Sequence, residues 1–219
     1  HTRYISVPGV QTCALPISAS AARVPGIGAA SATPATPPAP RAGDDAEASG
    51  SDPVIGGTGA THVVVLGWGN ASRGDDGLGP LLLARVEALG LAHVTAIEDF
   101  QLQLEHALDL DGADLALFLD AGKGTPAPFA FYETAPRTGL THTSHAMAPE
   151  AVLDVYVRVL GRTPPAAFVM AVRGEAFDLG TGLGEVAAER LDLAWDFLRP
   201  LIERPDAAAW RAAVTATAP

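Results

Sequence analysis

Val63-Val64-Val65-Leu66-Gly67-Trp68-Gly69-Asn70-Ala71-Ser72-Arg73-Gly74-Asp75-Asp76-Gly77-Leu78-Gly79 is the stretch that decides the fold. Its β-branched start reads as a buried strand, its glycines and Asn70 as a tight loop, and Asp75-Asp76 as the opening of an amphipathic helix near Leu78. A glycine-rich loop between a first strand and a helix often cradles a phosphate on backbone amides and the positive end of the helix dipole. That reading fails here. The dinucleotide fingerprint needs a third glycine where Ser72 stands, and two adjacent carboxylates at the helix start repel an anion and welcome a cation. Each acid also has a plain alternative, Asp75 as an N-cap and Asp76 as a favourable first-turn residue.

Further apolar runs extend the pattern. Leu78, Leu81, Leu82, Val86 and Leu89 form a helical stripe that stops before Gly90. Val94–Ile97 reads as a second strand and Leu102–Leu110 as a short helix. Leu115–Leu119 is the clearest buried strand after the first, and Asp120 ends it. Phe129–Glu133 and Ala166–Val172 read as strands, Pro149–Leu160 as a helix closed by Gly161, and Leu183–Ile202 as a final amphipathic helix. Strands alternating with helices predict an α/β fold: a three-layer α/β/α sandwich around a mostly parallel, twisted sheet of about five strands. In such sheets the carboxyl ends of the strands form the functional edge. Asp76, Asp120 and His145 are expected to gather there.

Composition sets the bounds. The folded domain is expected at 61–205, followed by a C-terminal tail at 206–219. His1–Ser18 reads as a gene-model artefact, because Gly9–Ile17 resembles a translated sequencing-library adapter. Residues 19–60 have the Ala/Pro/Gly/Ser-rich composition of a disordered segment. The single cysteine is Cys13, so the domain offers no thiol nucleophile, disulfide or thiolate metal site, which fits a cytoplasmic protein. A net charge of −11 argues against a nucleic-acid partner. No run of about eighteen apolar residues predicts a membrane span.

Two carboxylates and one imidazole suit a divalent transition metal, and nickel, zinc, manganese and iron are not separated by that donor set. Plain alternatives exist for each residue: Asp120 capping the turn with Gly122 and Gly124, His145 competing with His142 in the same loop, and Asp99, Gln101 and Glu105 forming only a polar helix edge. Other chemistries lack their residues. There is no nucleophile elbow, no Walker loop and no catalytic cysteine, and Lys123 is the only lysine.

The loop Gly67-Trp68-Gly69-Asn70 with Asp75-Asp76-Gly77-Leu78-Gly79, the acid of Asp120-Ala121 and the Ser144-His145 pair together resemble the hydrogenase maturation endopeptidases. These trim a C-terminal extension from the large-subunit precursor of nickel–iron hydrogenases after nickel insertion. The resemblance covers about Thr61 to Glu203. It implies a peptidase whose Asp76, Asp120 and His145 contact nickel supplied by the precursor, with Asp76 and Asp120 also catalytic. The segment Glu98–His106 departs from the glycine-threonine pair common in the family, which implies that Asp99, Gln101 and Glu105 bear on precursor recognition. The expected partner is the large-subunit precursor, with no nucleic acid, no membrane and a monomeric state. Two alternatives are a non-catalytic scaffold that binds the precursor and a small α/β hydrolase acting on a small molecule.

Overall fold

The computed structural model describes residues 60–138 and 147–216. The elements run β1 (Val63–Trp68), a 3-10 turn (Gly74–Gly77), α1 (Leu78–Glu87), β2 (Val94–Asp99), α2 (His106–Asp109), β3 (Leu115–Lys123), β4 (Phe129–Thr134), α3 (Pro149–Leu160), β5 (Ala166–Gly174), α4 (Glu185–Glu203) and α5 (Ala207–Ala212). The strands form one sheet in the order β2-β1-β3-β5-β4. Neighbours are parallel except β4, which runs antiparallel to β5 at one edge. This is the expected α/β architecture.

Alternation along the strands divides the core into two layers. Val63 and Val65 join Leu82, Leu83 and Val86 of α1 and Leu191, Ala194 and Leu198 of α4 on one face. Val64 and Leu66 join Leu110 and the α3 residues Val152, Leu153 and Tyr156 on the other. Strands buried on both faces read as unbroken apolar runs, which is why β1 and β3 stand out in the sequence. The helix expected over Leu102–Leu110 shortens to the single turn of α2. Helix α3 matches its signals, with Pro149 in its first turn and Gly161 in the left-handed conformation at φ 64° as its cap.

Close backbone approach positions α1. A Cβ on Gly79 would lie 2.5 Å from the Trp68 carbonyl oxygen and 2.7 Å from that of Leu119, so the first turn of α1 rests directly on the ends of β1 and β3. Gly79→Ala is therefore expected to destabilise the protein by about 2–3 kcal/mol despite alanine's better helix propensity, because carbonyls inside a sheet cannot step aside. Urea unfolding measures this, and an unchanged midpoint would mean that α1 slides freely over the sheet.

Of the stretch read as a C-terminal tail, Ala207–Ala212 form α5 and the described residues as far as 216 pack on the domain. Trp210 of α5 is fully buried against the stacked rings of Phe131 and Phe168, at centroid separations of 6.1 and 5.2 Å. Its indole N–H donates to the Leu201 carbonyl at 3.1 Å, and beyond α5 the Thr215 N–H donates to the Phe131 carbonyl at 2.8 Å. Isolated in sequence, one tryptophan among alanines gives little periodicity, so its buried seat is not visible there. Among the described residues no helix is long and apolar enough to cross a membrane.

Candidate active site at the sheet's carboxyl edge

Strand β1 lies between β2 and β3, so the chain passes to one side of β1 to form β2 and then to the other side to form β3. Such a switch point opens a crevice beyond the strand ends. Pairing of β1 with β3 ends at Gly67 opposite Leu119, whereas β3 continues along β5 to Lys123 opposite Gly174. Asp120 is thus the first residue of β3 beyond its β1 partner. The strand does not end at this acid, as its sequence suggests, because β5 supplies the ladder that carries it onward. Alternation places Asp120 on the sheet face of Ala116 and Phe118, the face that also carries Trp68 and, paired with it, Asp99.

Asp76 arrives from the loop after β1. Its Oδ2 accepts the Asn70 N–H at 3.0 Å, while the Asn70 side chain accepts the Ser72 N–H at 2.9 Å and closes the turn. Gly69 makes this possible with φ 142°, since any Cβ there would overlap the Asp76 carbonyl oxygen. The two carboxylates feel each other. Burial pushes the Asp120 carboxyl up to about 7, the Ala121 N–H donated to it at 2.7 Å opposes that rise, and the negative charge of Asp76 adds to it. Near neutral pH Asp120 is therefore about half protonated, in position to accept or release a proton.

Asp75 behaves differently from its neighbour. It caps neither the 3-10 turn nor α1. Only 3% exposed, it accepts N–H bonds from Glu175 at 2.7 Å, Ala176 at 2.9 Å and Gly184 at 3.4 Å. Burial alone would raise its pKa, but those three backbone bonds, with Arg190 nearby, hold it below the usual carboxylate value.

No family model matches the sequence, and no curated protein sequence matches it. Solved structures do. A NiFe hydrogenase maturation protease, HycI from Thermococcus kodakarensis, superposes over 67% of this chain and 95% of its own with a TM-score of 0.52 at 20% identity. The hydrogenase maturating endopeptidase HybD from E. coli superposes over 66% of this chain and 94% of its own with a TM-score of 0.50, also at 20% identity. The chain has the fold of the hydrogenase maturation proteases. At this identity the likeness extends to the fold and not to the activity.

Within that maturation-protease fold the residues singled out from the sequence are distributed unevenly. Asp76 and Asp120 come together. His145, with its neighbours His142 and Ser144, lies outside the described residues, and among the described residues no group of three His, Cys, Asp or Glu side chains could hold a metal ion. Asp99 ends β2 beside Trp68, its Oδ1 accepting the Phe100 N–H at 2.6 Å and its Oδ2 the Gln103 side-chain amide at 2.8 Å. Gln101 and Glu105 are exposed, in the same stretch as exposed Phe100 and Leu104.

The sequence reading missed His106 and Gln103. The buried His106 ring accepts the Gln103 backbone N–H on Nδ1 at 3.0 Å, so the neutral ring carries its proton on Nε2, 3.5 Å from Asp99 Oδ2. The spacing of Asp99, Gln103 and His106 hints at a local network, but only the bend after β2 brings the three together. A cleft of about 520 Å³, lined by Thr134, Pro136, Leu153, Val157, Pro164 and Ala167 among others, opens at the far end of β5 and includes neither Asp76 nor Asp120.

Proposed function

We propose that this chain is an endopeptidase that removes the C-terminal extension from a nickel–iron hydrogenase large-subunit precursor once nickel is in place. The observation that carries the reading is the Asp76–Asp120 pair at the switch point of a maturation-protease fold, one carboxylate from the β1 loop and one from β3. In this reading the nickel belongs to the substrate. Asp76, Asp120 and His145 contact it, and tighter binding of the nickel-loaded precursor places the scissile peptide for attack. The nickel, when bound, adds Lewis-acid polarisation of the carbonyl. Asp120, poised near pH 7, takes a proton from the attacking water and returns it to the leaving amine. No covalent intermediate is invoked. Asp99, held by Gln103 and His106, and exposed Gln101 and Glu105 contact the precursor beside the cut.

Incubation of the full chain with nickel-loaded and metal-free large-subunit precursors tests this. Shortening of the nickel-loaded precursor alone, lost with Asp76→Asn, is the expected result. Binding without shortening, across precursors of several hydrogenase classes, would replace the peptidase reading by that of a scaffold.

A further inference from the structure

Asp75 is next to Asp76 in sequence but turned away from the carboxylate pair, and nothing in the cleavage chemistry uses it. Its environment is unusually specific. Three backbone N–H groups of the loop between β5 and α4 converge on its two oxygens: Glu175 and Ala176 on Oδ2 at 2.7 and 2.9 Å, and Gly184 on Oδ1 at 3.4 Å. The contact is reciprocated by the backbone. The Asp75 N–H donates to the Ala176 carbonyl at 2.8 Å, the Gly74 N–H to that of Thr181 at 3.0 Å, and the Gly180 N–H to that of Ser72 at 2.7 Å. Two glycines keep the surfaces close. A Cβ on Gly74, which has φ 59°, would lie 2.6 Å from the Ala176 carbonyl oxygen, and one on Gly174 would lie 3.0 Å from the Asp75 Cβ.

Asp75 and Asp76 share one four-residue 3-10 turn whose hydrogen-bonded repeat is too short to hold itself rigid. We infer that Asp75 is the positioning residue of the site: by fastening the β5–α4 loop to this turn it fixes where the Asp76 carboxylate lies relative to Asp120. A carboxylate suits the task because it offers only acceptors, and all the groups facing it here are donors. The kinetic part of this inference rests on the peptidase reading. The geometric part does not.

The Asn70 N–H, bonded to Asp76 Oδ2 at 3.0 Å, is a built-in reporter of the position of that carboxylate. Asp75→Asn keeps one oxygen for the Glu175 and Ala176 amides but turns an NH2 toward the Gly184 N–H. Its Asn70 amide is expected to exchange with solvent about tenfold faster by NMR, while Val64 and Leu117 keep their protection. Gly184→Pro removes one donor from the opposite side at a φ of −69° that proline adopts, so it leaves Asp75 itself intact. It is expected to accelerate Asn70 exchange by about threefold. Precursor cleavage by Asp75→Asn should lose about a hundredfold in kcat, with KM within about twofold of the parent. Unchanged Asn70 exchange in both variants, with faster exchange only at Glu175 and Ala176, would reduce Asp75 to a fastening between loops and overturn the inference. If Asp75→Asn does not fold, Gly184→Pro decides alone. If the parent cleaves no precursor, the peptidase reading fails while the exchange data still decide the positioning role.

Discussion

Asp120→Asn is expected to give a protein that is more stable than its parent at pH 8 and at least a thousandfold slower in cleaving precursor. The stability half follows from burial. An aspartate in an unfolded chain titrates near 3.9, and in the fold this one titrates at about 7, so the folded state binds the proton more tightly. The stabilisation from that proton is complete below about pH 4 and is lost as pH rises toward 7. Above 7 the fold carries an ionised, half-buried carboxylate facing Asp76. Asparagine retains an oxygen for the Ala121 N–H and has no charge to bury, so its advantage over the parent should grow by on the order of 2–4 kcal/mol between pH 4 and pH 8. Urea midpoints for both proteins across that range measure the difference, in which the shared histidine titrations cancel. Parallel curves would show that Asp120 titrates normally and would remove the proton-transfer role with it. A gain in stability with a loss of function is the signature of a site whose geometry serves chemistry rather than folding.

The second large effect is expected at the other end of the domain. Trp210→Ala should cost about 3–5 kcal/mol, because the indole fills a closed seat against Phe131 and Phe168 and its removal leaves the Leu201 carbonyl without a partner. The melting temperature should fall by roughly 10 °C or more. A fall of only a degree or two would mean that α5 docks loosely and that residues after 205 do behave as a tail. Cleavage at a temperature where the variant remains folded should be unchanged, since α5 packs on the face opposite to that of Asp120.

The sequence shows most of the framework, and the reason is local. β1 and β3 announce themselves because both faces of each are buried, and α3 because Pro149 and Gly161 bracket it. Asp120 stands out because it follows directly on an apolar run, and Asp76 because it is one of two adjacent acids at the end of a glycine-rich loop. The parts that stay hidden depend on distant partners. β3 runs through Ala121 and Gly122, poor strand formers, only because β5 pairs with them. Asp75 reads as a helix cap from its neighbours, but its amide donors are about a hundred residues away in the chain. His106 meets Asp99 only because the bend after β2 turns it there. His145 is assigned from its sequence context alone.

The bond pattern beyond α5 has a practical consequence for handling the protein. Thr215 donates its N–H to the Phe131 carbonyl and accepts the Phe131 N–H on its hydroxyl, so the outer side of the antiparallel edge strand is partly occupied by the segment just after α5. Unpaired strand edges recruit other chains, and here the outward-facing groups of Phe131 are already bonded. A chain shortened before this segment, or one whose C-terminal affinity tag pulls it away, would present β4 to its neighbours. The expected symptom is precipitation that worsens with concentration, even where the shortened protein still folds.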